Sequence, residues 1–341
     1  MDMYLALLHE GPSGIKGVKI AERVKRTLAT DEVLVRLKAS GLNRRDLLNI
    51  MWRSEEDAPL VLGSDGAGII EEVGSGVKEW HVGDEVILHA GVNWITKSDA
   101  PPATFEILGS SFDGTHAQYI VIPASLLVKK PAYLTWEEAG VLSVAALTAY
   151  RALRTKGRAK KGDTVLIPGI GSGVATFLLQ MSKALGCRVI VTSRCKAKQK
   201  RAMELGADVA IDTAVDWNEA LQGEKVDIVI DSVGPATFQQ SLSQLRPGGT
   251  CVTFGATTGD NVEFNLRSFF YSQCNILGTT LGSKEEFMEM LVFMQQHQIH
   301  PVIDHVYDLD QGRVALERLQ DSEQFGKIVL RRSDAAADGT G

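Results

Sequence analysis

The chain has little of what marks secreted, membrane or nucleic-acid-binding proteins. Its 341 residues include four cysteines, Cys187, Cys195, Cys251 and Cys274, with no close-spaced pair. That scatter suits reduced thiols in a reducing compartment, not a disulfide framework. No run approaches the roughly eighteen apolar residues of a membrane span. Asp2 stands where a secretory signal would carry basic residues, so a cytoplasmic protein is expected. There is no basic excess either: 36 Lys and Arg against 42 Asp and Glu leave a net charge of -6. Proteins that grip a phosphate backbone cluster Lys and Arg to displace counterions, so nucleic acid is not an expected partner. The low hydrophobicity and high charge of disordered chains are also missing, at 44% hydrophobic and 23% charged residues.

The length implies two domains. The first part reads as short β segments at Val33–Leu37, Gly66–Ile70 and Glu85–Leu88 with Gly-rich joints. Thr135-Trp136-Glu137-Glu138 then has the cap-and-acid signature of a helix start, and Ala139 to Leu153 is expected to continue as a helical linker. From Thr164 β-branched runs (165–167, 188–192, 209–211, 226–230, 250–254) alternate with helix-like segments (174–185, 197–205, 236–245). That rhythm predicts an α/β, doubly wound parallel sheet. A sixth strand at Asn275–Gly278, a helix at Lys284–Gln296 and a last strand over 325–330 follow, the last rejoining the first domain. The expected division is 1–131, 132–281 and 282–332, with 333–341 as a frayed tail.

Gly169-Ile170-Gly171-Ser172-Gly173-Val174 follows a strand and opens a helix, where backbone N–H groups and the positive helix end hold a pyrophosphate. Val174 stands at the third glycine position, so the motif alone is weak and the strand–helix context carries it. The second strand ends Thr192-Ser193-Arg194. Between Thr164 and Met203 there is no acid, while Lys183, Arg188, Arg194, Lys196, Lys198, Lys200 and Arg201 are basic. An acid there would serve the ribose 2′-OH of NAD; Ser193 and Arg194 instead suit the 2′-phosphate of NADP(H). The bland alternative, a solvated basic helix face, accounts for part of 196–201.

Six blocks in order carry a family likeness: Ala39–Asp46, Leu62–Gly68, Val82–Val86, Leu147–Tyr150, Leu245–Gly249 and Phe325–Val329. Together they resemble the medium-chain dehydrogenase/reductase superfamily, most closely its zinc-free, quinone oxidoreductase-like branch. The resemblance implies a GroES-like, mostly β catalytic domain, a Rossmann domain inserted into it, a cofactor cleft between them and commonly a homodimer. It implies cofactor contacts from Asn43, Thr148, Val233, Gly255 and Lys327 beside Gly169, Gly171, Ser172, Gly173, Val174, Ser193, Arg194 and Lys198. Alcohol dehydrogenases of this family hold zinc with Cys and His where this chain has Asn43 and Ser64, and the stretch Gly91–Pro102 lacks the structural zinc cysteines. No metal is expected. His297 and His300 are taken as surface residues, and Asp65 and Asp84 as turn or backbone-capping carboxylates.

Without a metal to stabilise an alkoxide, a simple ketone is a poor acceptor. A quinone or α,β-unsaturated carbonyl spreads the charge by conjugation and needs only a few hydrogen-bond donors. Asn43 is expected to orient the nicotinamide ribose or to donate to the oxyanion, with Arg45 and Asp46 beside it and Trp52 lining the pocket; packing roles for Arg45 and Trp52 are the alternative. No proton donor stands out besides solvent. An alcohol dehydrogenase acting on alcohols or aldehydes and a non-catalytic NADPH-binding protein are the rival readings.

Overall fold

The computed structural model describes residues 3–332; the expected frayed tail at 333–341 lies outside the described residues. The chain forms two compact units. One comprises the residues up to Ala145, Ser283–Gln295 and those from Ile303 onward; the other comprises Ala146–Gly282 and Gln296–Val302. No helix among the described residues is long and apolar enough to cross a membrane.

The first unit is a GroES-like, mostly antiparallel β structure. Its central strand is Glu32–Gly41, whose Val33, Val35 and Leu37 are buried. Ala67–Val73 and Tyr119–Pro123 pair antiparallel with it. The last strand, Lys327–Arg331, returns to the same strand, placing Val329 opposite Gly41 and Leu330 opposite Ser40. This non-local pairing brings Lys327 beside Leu42 and Asn43, and Leu42 N donates to Ile328 O at 3.0 Å.

Directly after the central strand, Asn43 takes an extended conformation and caps the helix Arg44–Trp52. Asp46, in its first turn, accepts the Asn43 backbone N–H at 2.7 Å, satisfying a donor that a helix start leaves orphaned. Leu47 and Ile50 pack among Leu7, Leu62, Leu316 and Ile328; burying each contributes about 1.5–3 kcal/mol. The N-terminal end of this helix is therefore fixed in position.

The linker helix does not run unbroken from Ala139 to Leu153. Trp136–Ala139 is a short helix with the expected cap, Glu138 N donating to Thr135 Oγ1 and Thr135 N to the Glu138 carboxylate. A second helix covers Ala145–Tyr150, followed by a π-helical turn at Arg151–Lys156. In the gap, Ser143 Oγ donates to Leu88 O and Val144 N to Asp65 Oδ1 at 2.7 Å. Val144 N thus goes to a tertiary acceptor and not to a helical carbonyl.

The second unit carries a Rossmann-type sheet of six parallel strands: Thr164–Ile167, Arg188–Thr192, Val209–Ile211, Val226–Asp231, Leu245–Thr253 and Asn275–Gly278. Numbered along the chain, they lie in the order 3-2-1-4-5-6. That order reverses direction between the first and fourth strands, the switch point at which such sheets bind ligands. The fifth strand begins directly after the helix Pro235–Gln244, earlier than its β-branched core at 250–254 suggests.

Candidate active site

The turn after the first parallel strand is built for a close anionic ligand. Gly169 and Gly171 have φ of 73° and 124°, conformations that residues with a Cβ rarely adopt. A Cβ on Gly171 would stand 2.8 Å from Lys198 Cδ and 3.3 Å from its Nζ, and one on Gly169 would stand 2.8 Å from Val233 Cγ2. Bare backbone, Lys198 and Val233 thus share one small space. Ser172 caps the helix Gly173–Ala184, its hydroxyl accepting Ala175 N at 3.2 Å. Val174 follows Gly173 in the first helical turn, where amide groups present partial positive charge. The turn is tied to the second strand, since Ile170 N donates to Thr192 O at 2.8 Å.

Beyond that strand, Ser193 is buried, with its hydroxyl accepting Cys195 N at 3.1 Å, while Arg194 is exposed. Gln199 Nε2 donates to Ser193 O at 2.6 Å and fixes the bend. Asp231, at the end of the fourth strand, spends its carboxylate on Val233 N, Gly234 N, Thr237 Oγ1 and Ser241 Oγ. It is a buried anchor between that strand end and the helix Pro235–Gln244. Gly255 lies after the fifth strand, where a Cβ would meet Ser232 O at 2.8 Å, and Thr148 is buried on the helix Ala145–Tyr150. The cradle, with glycines at its close approaches and Lys198 beside it, fits the diphosphate of a dinucleotide.

The polar centre of the first unit lies where the central strand, the Asn43 cap and the last strand meet. Lys327 Nζ donates to Leu42 O at 2.7 Å, to Asn43 Oδ1 at 2.6 Å and to Asp65 Oδ2 at 3.0 Å. Asn43 Nδ2 donates to Asp65 Oδ2 at 2.9 Å and, more weakly, to Gly41 O at 3.4 Å. Lys327 is 3% exposed and Asp65 fully buried. Asp65, which also accepts Val144 N, is therefore more than a turn or backbone-capping carboxylate, whereas Asp84 does cap a turn by accepting His81 N at 2.8 Å.

Arg45 reaches the other way. Its guanidinium donates to Ser64 Oγ and Ser110 Oγ, and to Leu108 O at 3.1 Å, tying the helix to two loops. Burial pushes this guanidinium down, and Asp46 and Asp65 push it back up. Trp52 stands at the far end of the helix, about 13 Å along the axis from Asn43, and is 77% exposed. Sequence reasoning missed a buried set behind Asp46. Ser40 Oγ pairs with His116 Nδ1 at 2.8 Å and accepts Arg332 Nη1 at 2.8 Å, while His116 Nε2 stands 3.7 Å from Asp46 Oδ2. Ser40 lies 76 positions from His116 and 292 from Arg332, so no local pattern signals the set.

These residues do not fit zinc. Asn43 Oδ1 and Asp65 Oδ2 are already held by an ammonium, and Ser64 Oγ accepts from a guanidinium, so a divalent ion would meet two cations. Among the described residues no group of three or more His, Cys, Asp or Glu side chains could hold a metal. His297 and His300 are exposed.

A Rossmann sheet with a glycine cradle at its switch point, joined in one chain to a GroES-like unit, defines a nucleotide-dependent dehydrogenase fold. The chain matches the zinc-binding dehydrogenase family over residues 173–296 and the alcohol dehydrogenase GroES-like domain over residues 29–132. It is 35% identical to a zinc-type alcohol dehydrogenase-like protein of Schizosaccharomyces pombe, covering 95% of this chain and 98% of that one. It is 30% identical to the acryloyl-coenzyme A reductase of Sulfurisphaera tokodaii, covering 96% and 99%. Among solved structures it is similar to the 2-octenoyl-CoA carboxylase reductase CinF in complex with NADP and 2-octenoyl-CoA. The TM-score is 0.86 and the identity 27%, over 97% of this chain and 88% of that one. The chain belongs to the medium-chain dehydrogenase/reductase superfamily.

Proposed function

We propose that the protein is an NADPH-dependent oxidoreductase that transfers hydride to an α,β-unsaturated carbonyl compound or a quinone without zinc. The observation that carries this reading is the Lys327 ammonium seated on Asn43 and Asp65, where a metal-dependent enzyme of this family would need free ligands. With no Lewis acid, charge in the transition state is borne by conjugation in the acceptor and by hydrogen bonds. Asn43 provides the donor: its bond to Asp65 is short, but the 3.4 Å contact to Gly41 O is weak and exchangeable for an oxyanion. Arg45 and Asp46 hold the helix that carries it, and Trp52 serves the acceptor only if the acceptor extends along that helix. NADPH, when bound, supplies the hydride. The Gly169–Val174 turn with Lys198 and Val233 takes its diphosphate, Ser193 and Arg194 its 2′-phosphate, and Thr148 and Gly255 complete the set in the same unit; Lys327, expected from the resemblance to touch the cofactor, spends its three donors on Leu42 O, Asn43 Oδ1 and Asp65 Oδ2 instead. The names of the acryloyl- and 2-octenoyl-CoA relatives support the conjugated carbonyl over the quinone.

The assembly we propose is a homodimer. The strand Asn275–Gly278 edges the parallel sheet, and beside it in sequence Leu266, Phe270 and Tyr271 are 65%, 54% and 73% exposed. An open strand edge near exposed aromatics is a surface that proteins cover.

A panel of enones, quinones, aldehydes and alcohols, followed by NADPH absorbance, tests the reading. Turnover confined to conjugated acceptors is expected. Activity on secondary alcohols alone restores the alcohol dehydrogenase reading, and cofactor binding without turnover of any acceptor leaves a non-catalytic NADPH-binding protein.

A further inference from the structure

We propose that Lys327 is a positioning residue, a built-in cation that takes a metal's place by fixing which edge of the Asn43 amide faces its surroundings. This rests on the reading of Asn43 as the oxyanion donor. An asparagine amide is nearly symmetric in shape, so only its partners decide which end is oxygen and which is nitrogen. Here both ends are decided. Lys327 Nζ donates to Asn43 Oδ1 at 2.6 Å, and Asn43 Nδ2 donates to Asp65 Oδ2 at 2.9 Å. A flipped amide would set its oxygen against the Asp65 carboxylate and its N–H groups against the ammonium, two repulsions in a buried place. The remaining N–H, on the long contact to Gly41 O, is thereby kept as a donor. All three Lys327 donors are spent on Leu42 O, Asn43 Oδ1 and Asp65 Oδ2, so Lys327 acts through Asn43 and not on the acceptor. The same ammonium neutralises Asp65, which also accepts Val144 N at 2.7 Å.

The test compares wild type with Lys327→Met and with the double variant Asp65→Asn/Lys327→Met, in which neither buried charge is left alone. Three readouts are taken: kcat and KM for an enone, NADPH affinity, and hydrogen exchange of the Asn43 side-chain amide in 15N-asparagine-labelled protein, assigned with Asn43→Ala. In Lys327→Met, kcat falls about a hundredfold, the cost of a small misplacement, while NADPH affinity changes less than about twofold on the same argument and the amide loses its protection. The double variant regains thermal stability but not kcat, and it decides the matter if the single variant does not fold. Recovery of kcat together with stability would make Lys327 merely structural. A parallel loss of NADPH affinity would make it a cofactor ligand, and an amide still protected would overturn the proposal outright. If wild type turns over no enone, the functional reading fails while amide exchange still decides the positioning role.

Discussion

Replacing Arg194 by alanine isolates the cofactor choice. Arg194 follows the buried Ser193 at the end of the second parallel strand and is exposed, and no acid lies between Thr164 and Met203 to compensate its charge locally. A ribose 2′-phosphate carries roughly -1.5 to -2 charges at neutral pH. A charge-assisted hydrogen bond to it is worth about 1.5–3 kcal/mol when well formed. Exposure and screening over a Debye length of about 8 Å trim that to about 1–2 kcal/mol, or roughly 5- to 30-fold in affinity. The Ser193 hydroxyl accepts Cys195 N and keeps its own proton to donate, so part of the preference survives the substitution. Fluorescence titration of NADPH and NADH against wild type and Arg194→Ala, at two salt concentrations, reads the effect. NADPH should weaken by that factor and NADH hardly at all, with the difference shrinking at high salt. Equal affinities of the two cofactors for wild type would refute the reasoning.

Asn43→Ala should lower enone turnover about 10²-fold, the usual cost of one oxyanion donor, with NADPH affinity little changed; steady-state kinetics beside cofactor titration check this, and unchanged turnover would remove Asn43 from the chemistry. His89 provides a pH test: it is fully buried, and burial, aided by the Lys284 charge and only partly offset by the Trp94 backbone and Glu286, pushes it down to about 3. Its folded-state value lies below the ordinary one near 6.5, so its stabilising contribution is complete above about pH 6.5 and is lost as pH falls toward 3, by up to about 1.4 kcal/mol per pH unit. Urea midpoints across that window should fall less steeply for His89→Leu than for wild type, whereas parallel curves would contradict the assignment.

The parallel sheet was legible because its inner strands are buried on both faces and read as compact β-branched runs: Val165–Ile167, Arg188–Thr192 and Val226–Ile230 all lie in strands. The linker was less legible. Ala139 to Leu153 is compositionally helical, but the Ser143 hydroxyl and Val144 N go to Leu88 O and Asp65, partners that local sequence does not reveal. The glycine turn was visible as a motif, and its link to Lys198 follows from the neighbouring helix. The first unit's centre was visible only in part. Asn43 and Lys327 lie in recognisable blocks, but their contact depends on the last strand returning to Glu32–Gly41 across nearly the whole chain. Asp65 read as a turn or backbone-capping carboxylate, and it does accept Val144 N, but the lysine that adds to its meaning is 262 positions away. His116 gave no signal, since a lone histidine in a loop carries no pattern.

The central claim is metal-free reduction of a conjugated acceptor. The measurement that tests it most directly is kcat/KM with NADPH for an enone and for its saturated ketone, on chelator-treated protein whose zinc content has been determined. The account predicts less than about 0.1 zinc per chain, against the one ion per chain of a catalytic site. It also predicts full enone activity after chelation and a saturated ketone slower by at least about 10²-fold. About one zinc per chain, with activity that disappears on chelation and favours the saturated ketone, would contradict it.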